Sequence, residues 1–388
     1  MKKKIAILGS TGSIGKYTLD VIGASKKNFD VVLLSANNNY KKLIQQAKKF
    51  KAKNVIIKNE IYYQKVKKEL KKNKIKVFTG NISLTRIITK KIDLTMSAIV
   101  GIEGLQPTVD AIKVSKVVAL ANKETIICAW HILEKLKKKY KTKIIPVDSE
   151  HFSIMKLIEN TKNEEIEEII LTASGGPFLY TPLKKLNFIK PIQAIKHPNW
   201  KMGKKISVDS ANMMNKVFEV IEAYKLFKFN KNKYRIIIHP QSYVHSIVRF
   251  KNGLIKMILY NSDMKIPISN ILHENNYPLI NSKKIEARTL NNMVFLEVNK
   301  KKFPSVRLIN RCLNLGPSTS IIVNASNEVL VELFLKGKID YLDIVRTINK
   351  IFKDKQFNKY ARRKAGTIKG IKIIDNWARL KTIDMCVR

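Results

Sequence analysis

Cysteine is scarce in this 388-residue chain, and the three present, Cys128, Cys312 and Cys386, lie far apart. An odd, scattered set builds neither a disulfide framework nor a metal cluster, and it fits a reducing cytosol. No apolar stretch approaches the length of a membrane span. Met1-Lys2-Lys3-Lys4 imitates the start of a signal peptide, but the apolar run behind it is only Ile5 to Leu8. That is too short for a signal core, so a cytoplasmic protein with no membrane partner is expected. Internal repeats and low-complexity linkers are also missing. Acidic residues are few: 30 Asp and Glu stand against 74 Lys and Arg, a formal net charge of +44. Such an imbalance points first to nucleic acid or an anionic surface. The lysines are dispersed, however, as in Lys41-Lys42, Lys48-Lys49, Lys67-Lys68, Lys71-Lys72 and Lys137 to Lys139. No zinc-finger spacing or RNA-binding aromatic signature accompanies them. The expectation is salt-sensitive sticking rather than a specific nucleic-acid partner.

What the chain does have is hydrophobic content of 45%, enough for a sizeable core, and a length that calls for two or three domains. Residues 1–150 alternate strand and helix patterns in the manner of a doubly wound sheet. Ile5 to Leu8 reads as a strand, Gly9-Ser10-Thr11-Gly12-Ser13-Ile14-Gly15 as a turn, and Leu19, Val21 and Ile22 as a helix face. Strand, glycine turn and helix form the layout of a dinucleotide site, where backbone approaches pyrophosphate and a helix N-terminus supplies N–H donors. The G-x-x-G-x-x-G spacing alone is a weak signal, strengthened by its place at the first strand. Strands follow at Val31 to Leu34, Val55 to Ile57, Leu94 to Ala98 and Val117 to Leu120. After the second of the domain's strands comes Asn37-Asn38-Asn39, with no acidic residue to hold ribose hydroxyls and with Lys41 and Lys42 beyond. NADP is favoured over NAD on that basis.

The most informative stretch is Ile144-Ile145-Pro146-Val147-Asp148-Ser149-Glu150-His151. An apolar strand ends there in two carboxylates. An extended chain through the acidic pair would put Asp148 and Glu150 on one side, fit for Mg²⁺ or Mn²⁺. A helix start would use Asp148 and Ser149 as caps instead. Both readings stand at this point.

Further along, Ser174-Gly175-Gly176 can cradle an anion or form a bare turn. His197-Pro198-Asn199-Trp200-Lys201-Met202-Gly203 places an exposed Trp between Pro and Gly, as in a lid over a ligand, or in a loop-side contact. Ser207 to about Phe227 reads as one helix, with Ser210 near its start. Its core face is Met213, Met214, Val217, Phe218 and Ile221. A polar stripe of Asn212, Asn215, Lys216 and Glu219 suits phosphate and metal, or is a solvated face. His239 and His245 could be catalytic, and structural hydrogen bonding is the favoured reading. Lys251-Asn252-Gly253 predicts a hairpin, and the tail beyond 290 a helical bundle without chemistry.

Together these motifs resemble 1-deoxy-D-xylulose 5-phosphate reductoisomerase. They are Gly9 to Gly15, Leu120-Ala121-Asn122-Lys123-Glu124, Pro146 to His151, Ser174 to Phe178, His197 to Gly203, Ser207 to Glu219 and His239 to Ser246. The resemblance implies an α/β protein in three parts: a Rossmann-like NADPH domain at 1–150, a catalytic domain at 151–290 with a flap at 197–204, and a C-terminal helical domain at 291–388. It implies Asp148, Glu150 and Glu219 as ligands of Mn²⁺ or Mg²⁺. Lys123, Ser149, Glu150, Ser174, His197, Ser210, Asn215, Lys216 and Glu219 would face a sugar phosphate. Catalysis would fall to Lys123 and the three carboxylates. Thr11, Gly12, Ser13, Ile14, Asn37, Asn38, Asn39, Asn122, Glu124 and Gly203 would line NADPH, Trp200 would ride the flap, and the chain would form a homodimer. Some members carry Lys where this chain has Asn38. The implied reaction rearranges 1-deoxy-D-xylulose 5-phosphate to an aldehyde, then reduces it to 2-C-methyl-D-erythritol 4-phosphate. Another metal-independent NADP dehydrogenase, or a basic nucleic-acid-binding protein with a vestigial nucleotide fold, are the alternatives.

Overall fold

The computed structural model describes residues 1–386 except 201, 275–279 and 281–283. Its strands are β1 (Lys3–Leu8), β2 (Phe29–Ala36), β3 (Asn54–Ile57), β4 (Lys76–Thr79), β5 (Ile92–Ser97), β6 (Ser115–Leu120), β7 (Lys143–Pro146), β8 (Ile166–Ala173), β9 (Tyr234–Ile238), β10 (Val244–Phe250), β11 (Ile255–Leu259) and β12 (Leu296–Glu297). The chain falls into two compact units.

The first unit contains residues 1–125, 129–152 and 264–281. Its seven-stranded sheet has the order β4-β3-β2-β1-β5-β6-β7, and the adjacent pairs are parallel. The chain builds outward from β1 to β4, returns beside β1 as β5, and builds outward the other way. Right-handed crossovers then put the helices of the two halves on opposite faces. Strands covered on both faces need continuous apolar runs, and Ile5, Ala6, Ile7 and Leu8 are each buried to 1% exposure or less. The edge strand β4 has no such run: its Lys76-Val77-Phe78-Thr79 is exposed at Lys76 and half-buried elsewhere. The helix Lys265–His273 belongs to this unit and packs on the helix Ser13–Ala24, with His273 meeting Phe29 edge-on at 5.2 Å.

The second unit holds a five-stranded mixed sheet, β11-β10-β8-β9-β12, in which β8 and β9 are parallel. Asn252 and Gly253 turn β10 into β11 as the sequence predicts. β12, within the stretch expected to be helical, pairs antiparallel with β9. The tail is otherwise helical, over Thr319–Leu335, Asp343–Ile351, Phe357–Ala361 and Ile368–Cys386. The first unit's long run ends at Phe152, and residues 291–386 share a unit with the central sheet. Among the described residues no helix is long and apolar enough to cross a membrane.

Candidate active site

In the first unit, the glycine turn sits where the strand order reverses, between β1 and β5. Gly9 has φ +81°, and a Cβ there would lie 2.7 Å from the carbonyl oxygen of Ala98, just beyond β5. Gly15 lets the helix press on the turn, since a Cβ would lie 2.4 Å from the Gly9 carbonyl oxygen. Two polar residues that the sequence reading passed over pin this turn. Ser35 accepts from the Gly9 N–H at 3.0 Å through Oγ, and Gln46 exchanges hydrogen bonds with Ser10 at 2.8 and 2.9 Å. Gln46 is 7% exposed, and its place on the apolar face of the helix Tyr40–Phe50, three after Leu43 and four before Phe50, is the signal that would have found it. Gly12 and Ser13 are exposed, and Thr11 and Ile14 are half-buried. Asn37, Asn38 and Asn39 form an exposed rim beside them; Asn38 accepts from Asn59 at 2.9 Å, and Asn39 caps the helix Tyr40–Phe50. Asn122 is 2% exposed; its Oδ1 caps the helix Lys123–Lys139, and its amide donates to the carbonyls of Ile99 and, at 2.8 Å, Gly101. It shapes the crevice through the backbone. Glu124, its companion in the expected cofactor set, is 5% exposed.

At the far edge of the same sheet, Leu120 of β6 is in register with Pro146 of β7. Equal strand ends bring Lys123 and Asp148 together, with Nζ 3.1 Å from Oδ2. The backbone settles the two readings of the acidic stretch. β7 stops at Pro146 and a helix runs from Ser149 to Leu157, so Asp148 and Glu150 do not share a strand face. Asp148 caps that helix, its Oδ1 accepting from the Glu150 N–H at 3.3 Å and its carbonyl from Phe152 at 2.8 Å. The reason is local: Asp and Ser satisfy free N–H groups at a helix start better than they extend a strand. The helix turn still keeps the acids close. His151 Nδ1 stands 3.2 Å from Asp148 Oδ1, and Ser149 Oγ donates to Glu150 at 2.5 Å. This gives two carboxylates, an ammonium and a hydroxyl at the carboxyl edge of a parallel sheet. All-oxygen carboxylate donors suit a hard divalent cation.

In the second unit, the expected single helix is two. Lys204–Ala211 ends, Met213 takes φ +65°, and Met214–Phe227 begins, with Asn212 Oδ1 accepting from the Met214 N–H at 3.0 Å. Ser210 therefore closes the first helix rather than opening the second, and Asn212 leaves the stripe to become the turn. Asn215, Lys216 and Glu219 remain on one face. It is not a solvated face: Lys216 is 4% and Glu219 1% exposed. Lys216 and Asn215 both reach the Glu219 carboxylate. A charge buried like this must be paired, and these are.

Ser174 lies on the loop after β8. Gly176 has φ +64°, donates its N–H to Ser174 Oγ at 3.1 Å, and comes so near Ser210 and Ala211 that a Cβ would lie 2.8 Å from the Ser210 carbonyl oxygen. Ser174 and Ser210 are thus carried on touching segments. His197 Nε2 is 2.9 Å from Ser174 Oγ, while its Nδ1 accepts from the N–H groups of Asn199 and Trp200 at 3.1 and 3.0 Å. Trp200 is half-buried, not exposed as expected, with its ring edge toward His245 at 6.0 Å. Asn199 ties the loop down through the Pro240 carbonyl at 2.6 Å and Ser242 at 2.8 Å. Gly203 precedes the helix Lys204–Ala211, and Lys201 of the expected flap lies outside the described residues. His239 bonds the Val294 carbonyl at 2.9 Å with its pKa lowered by burial, and His245 bonds that of Tyr260 at 3.2 Å.

A glycine turn at the switch point of a doubly wound sheet, with acids at another strand end, defines a nucleotide-dependent α/β enzyme. Comparison with known proteins narrows this. Family-wide sequence profiles described as 1-deoxy-D-xylulose 5-phosphate reductoisomerase, its C-terminal domain, and the DXP reductoisomerase C-terminal domain match residues 5–130, 144–227 and 259–381. The chain is 46% identical over 387 residues to the reductoisomerase of Pelagibacter ubique, covering 99% of this chain and 100% of that one. It is 42% identical over 362 residues to that of Wolbachia pipientis, covering 92% of each. A structure of the Zymomonas mobilis enzyme in complex with NADPH aligns with a TM-score of 0.91 at 33% identity, over 100% and 99% of the two chains. A reductoisomerase in complex with NADPH, fosmidomycin and magnesium aligns with a TM-score of 0.92 at 31% identity, over 99% and 98%. The chain belongs to the 1-deoxy-D-xylulose 5-phosphate reductoisomerase family.

Proposed function

We propose that the chain converts 1-deoxy-D-xylulose 5-phosphate to 2-C-methyl-D-erythritol 4-phosphate with NADPH and a divalent metal ion, Mn²⁺ or Mg²⁺, in the non-mevalonate isoprenoid pathway. One observation carries the reading: a single parallel sheet bears both a glycine turn at its switch point and the Lys123, Asp148, Glu150 group at its β6–β7 end. Hydride transfer needs the first, and handling of an α-hydroxyketone's oxygens the second. Family membership, and relatives solved with NADPH and magnesium, support it.

Asp148, Glu150 and Glu219 would hold the metal, which when bound supplies Lewis acidity for breaking and reforming a C–C bond. Lys123 would place its ammonium against negative charge developing on a substrate oxygen. Ser174, Ser210, Asn215 and Lys216 would hold the phosphate and neighbouring hydroxyls, Ser149 and His197 would complete the substrate set, and Thr11 to Ile14, Asn37 to Asn39, Asn122, Glu124 and Gly203 would serve NADPH. The half-buried Trp200 supports a covering role for the 197–204 segment that excludes water. A cytoplasmic homodimer is part of the reading. Its support is β11, an edge strand whose Leu254 flank and Ile255 are each 59% exposed and whose Met257 is 44% exposed. The test is metal-dependent NADPH oxidation by the purified chain with the ketose phosphate.

A further inference from the structure

The residues beyond 290 carry no expected chemistry, yet three of them reach into the turn that separates the helices Lys204–Ala211 and Met214–Phe227. The amide of Asn327, 0% exposed, donates to Asp209 Oδ1 at 2.7 Å, and Asp209 is 2% exposed. The Tyr341 hydroxyl donates to the Ala211 carbonyl at 2.7 Å. The Ser305 hydroxyl donates to the Asn212 carbonyl at 2.5 Å. Tyr341 does more than this. Its ring meets Phe178 edge-on at 5.4 Å, and Phe178 ends the Ser174-Gly175-Gly176-Pro177-Phe178 loop. One buried side chain therefore holds both the loop bearing Ser174 and the end of the helix bearing Ser210, which already touch through Gly176.

The turn needs such support. Met213 is a non-glycine residue in the left-handed region, and the carbonyls of Ala211 and Asn212 lie at a helix end where the next turn cannot bond them all. Hydrogen bonds in a dry interior fix geometry strongly and are costly to leave unmade. Burial pushes the Tyr341 phenol far above its ordinary pKa, so it stays a donor.

We propose that Tyr341, with Asn327 and Ser305, is a positioning residue for anion recognition: it sets the spacing between Ser174 and Ser210, and through the turn the entry of Asn215 and Lys216. The assignment rests on the reading that these four residues hold the substrate phosphate.

The experiment is steady-state kinetics of the full chain with both substrates varied. Tyr341→Phe keeps the ring contacts and removes only the hydroxyl, so it is the variant that stays folded. It should raise the KM for the ketose phosphate about 10-fold or more, with the KM for NADPH unchanged. Asn327→Ala, which removes the donor to Asp209 while leaving its 3.1 Å ion pair with Lys205 in place, should do likewise. A lower melting temperature with both KM values unchanged, or equal rises in both, would overturn the positioning role. Absence of turnover in the unsubstituted chain would overturn the proposed function, and this assignment with it.

Discussion

Ser174 and His197 are joined by a 2.9 Å hydrogen bond whose direction is set by the backbone. Because His197 Nδ1 accepts two N–H groups, the ring proton sits on Nε2 and the imidazole donates to the serine oxygen. The same oxygen accepts from the Gly176 N–H. Ser174 is left to donate its own proton outward, which suits a phosphate oxygen. His197→Ala should therefore raise the KM for the ketose phosphate roughly 10-fold, the scale of one hydrogen bond lost. The check is the KM for each substrate in turn, with NADPH unaffected.

The carboxylates give a separate prediction. Asp148→Asn or Glu219→Gln should lower metal-dependent turnover on the order of 10²-fold or more. Mn²⁺ binding, followed by its paramagnetic resonance signal, should weaken in the same variants. Full activity and full Mn²⁺ binding in either variant would remove that residue from the metal set.

The glycine turn predicts a contrast between two alanines. Gly15→Ala puts a Cβ 2.4 Å from the Gly9 carbonyl oxygen, whereas Gly366→Ala meets nothing within 4 Å. The first should cost about 1–3 kcal/mol of stability and weaken NADPH binding; the second should leave both unchanged. Denaturant midpoints and NADPH fluorescence titration measure the two effects.

Lys225 gives a pH dependence. Its ammonium donates to the Ile127 carbonyl and to Ser320 at 3.2 Å, in a dry site near Cys128 and Cys312, and burial lowers its pKa to about 8. Unfolded, the group titrates near its ordinary value of about 10.4. Below pH 8 both states are charged and the folded state carries the desolvation cost, about 3 kcal/mol. As pH rises from 8 toward 10.4 the unfolded state holds more protons, so this group's contribution to stability increases with pH. Lys225→Met should be stabilised relative to the unsubstituted chain at pH 7, and the difference should shrink toward pH 10. Thermal melts across that range decide it. Burial also pushes the Cys312 thiol up to about 12, so it should react slowly with thiol reagents until the chain unfolds.

The exposed edge strand predicts an assembly. Ile255→Lys with Met257→Glu puts charge on β11 without touching the core. Light scattering should report a monomer for this variant against a dimer for the unsubstituted chain. Equal masses would place the dimer contact elsewhere or exclude it.

Much of this was legible in the sequence because burial on both faces forces unmistakable patterns. Ile5 to Leu8 and Val31 to Leu34 can be little else than central parallel strands. β4 was not legible, since an edge strand needs no apolar run and Lys76-Val77-Phe78-Thr79 has none. β12 is two residues long and exists only because β9 offers an edge. The break at Asn212–Met213 is hidden for another reason: Ser207 to Phe227 keeps helical apolar spacing through it, and the kink depends on Asn212, Ser305 and Tyr341 meeting in space. The burial of Lys216 and Glu219 was equally invisible, because a polar stripe reads the same whether it faces water or a closed site. Periodicity reports which residues share a face, not what covers it.

The central claim is most directly tested by following NADPH absorbance as the purified chain meets 1-deoxy-D-xylulose 5-phosphate, with Mn²⁺ or Mg²⁺ and then with excess chelator. The account predicts oxidation that needs both the ketose phosphate and the metal, stops with chelator, and returns when metal is restored. Folded, NADPH-binding protein that oxidises no NADPH with this substrate, or oxidises it equally well without metal, would contradict it.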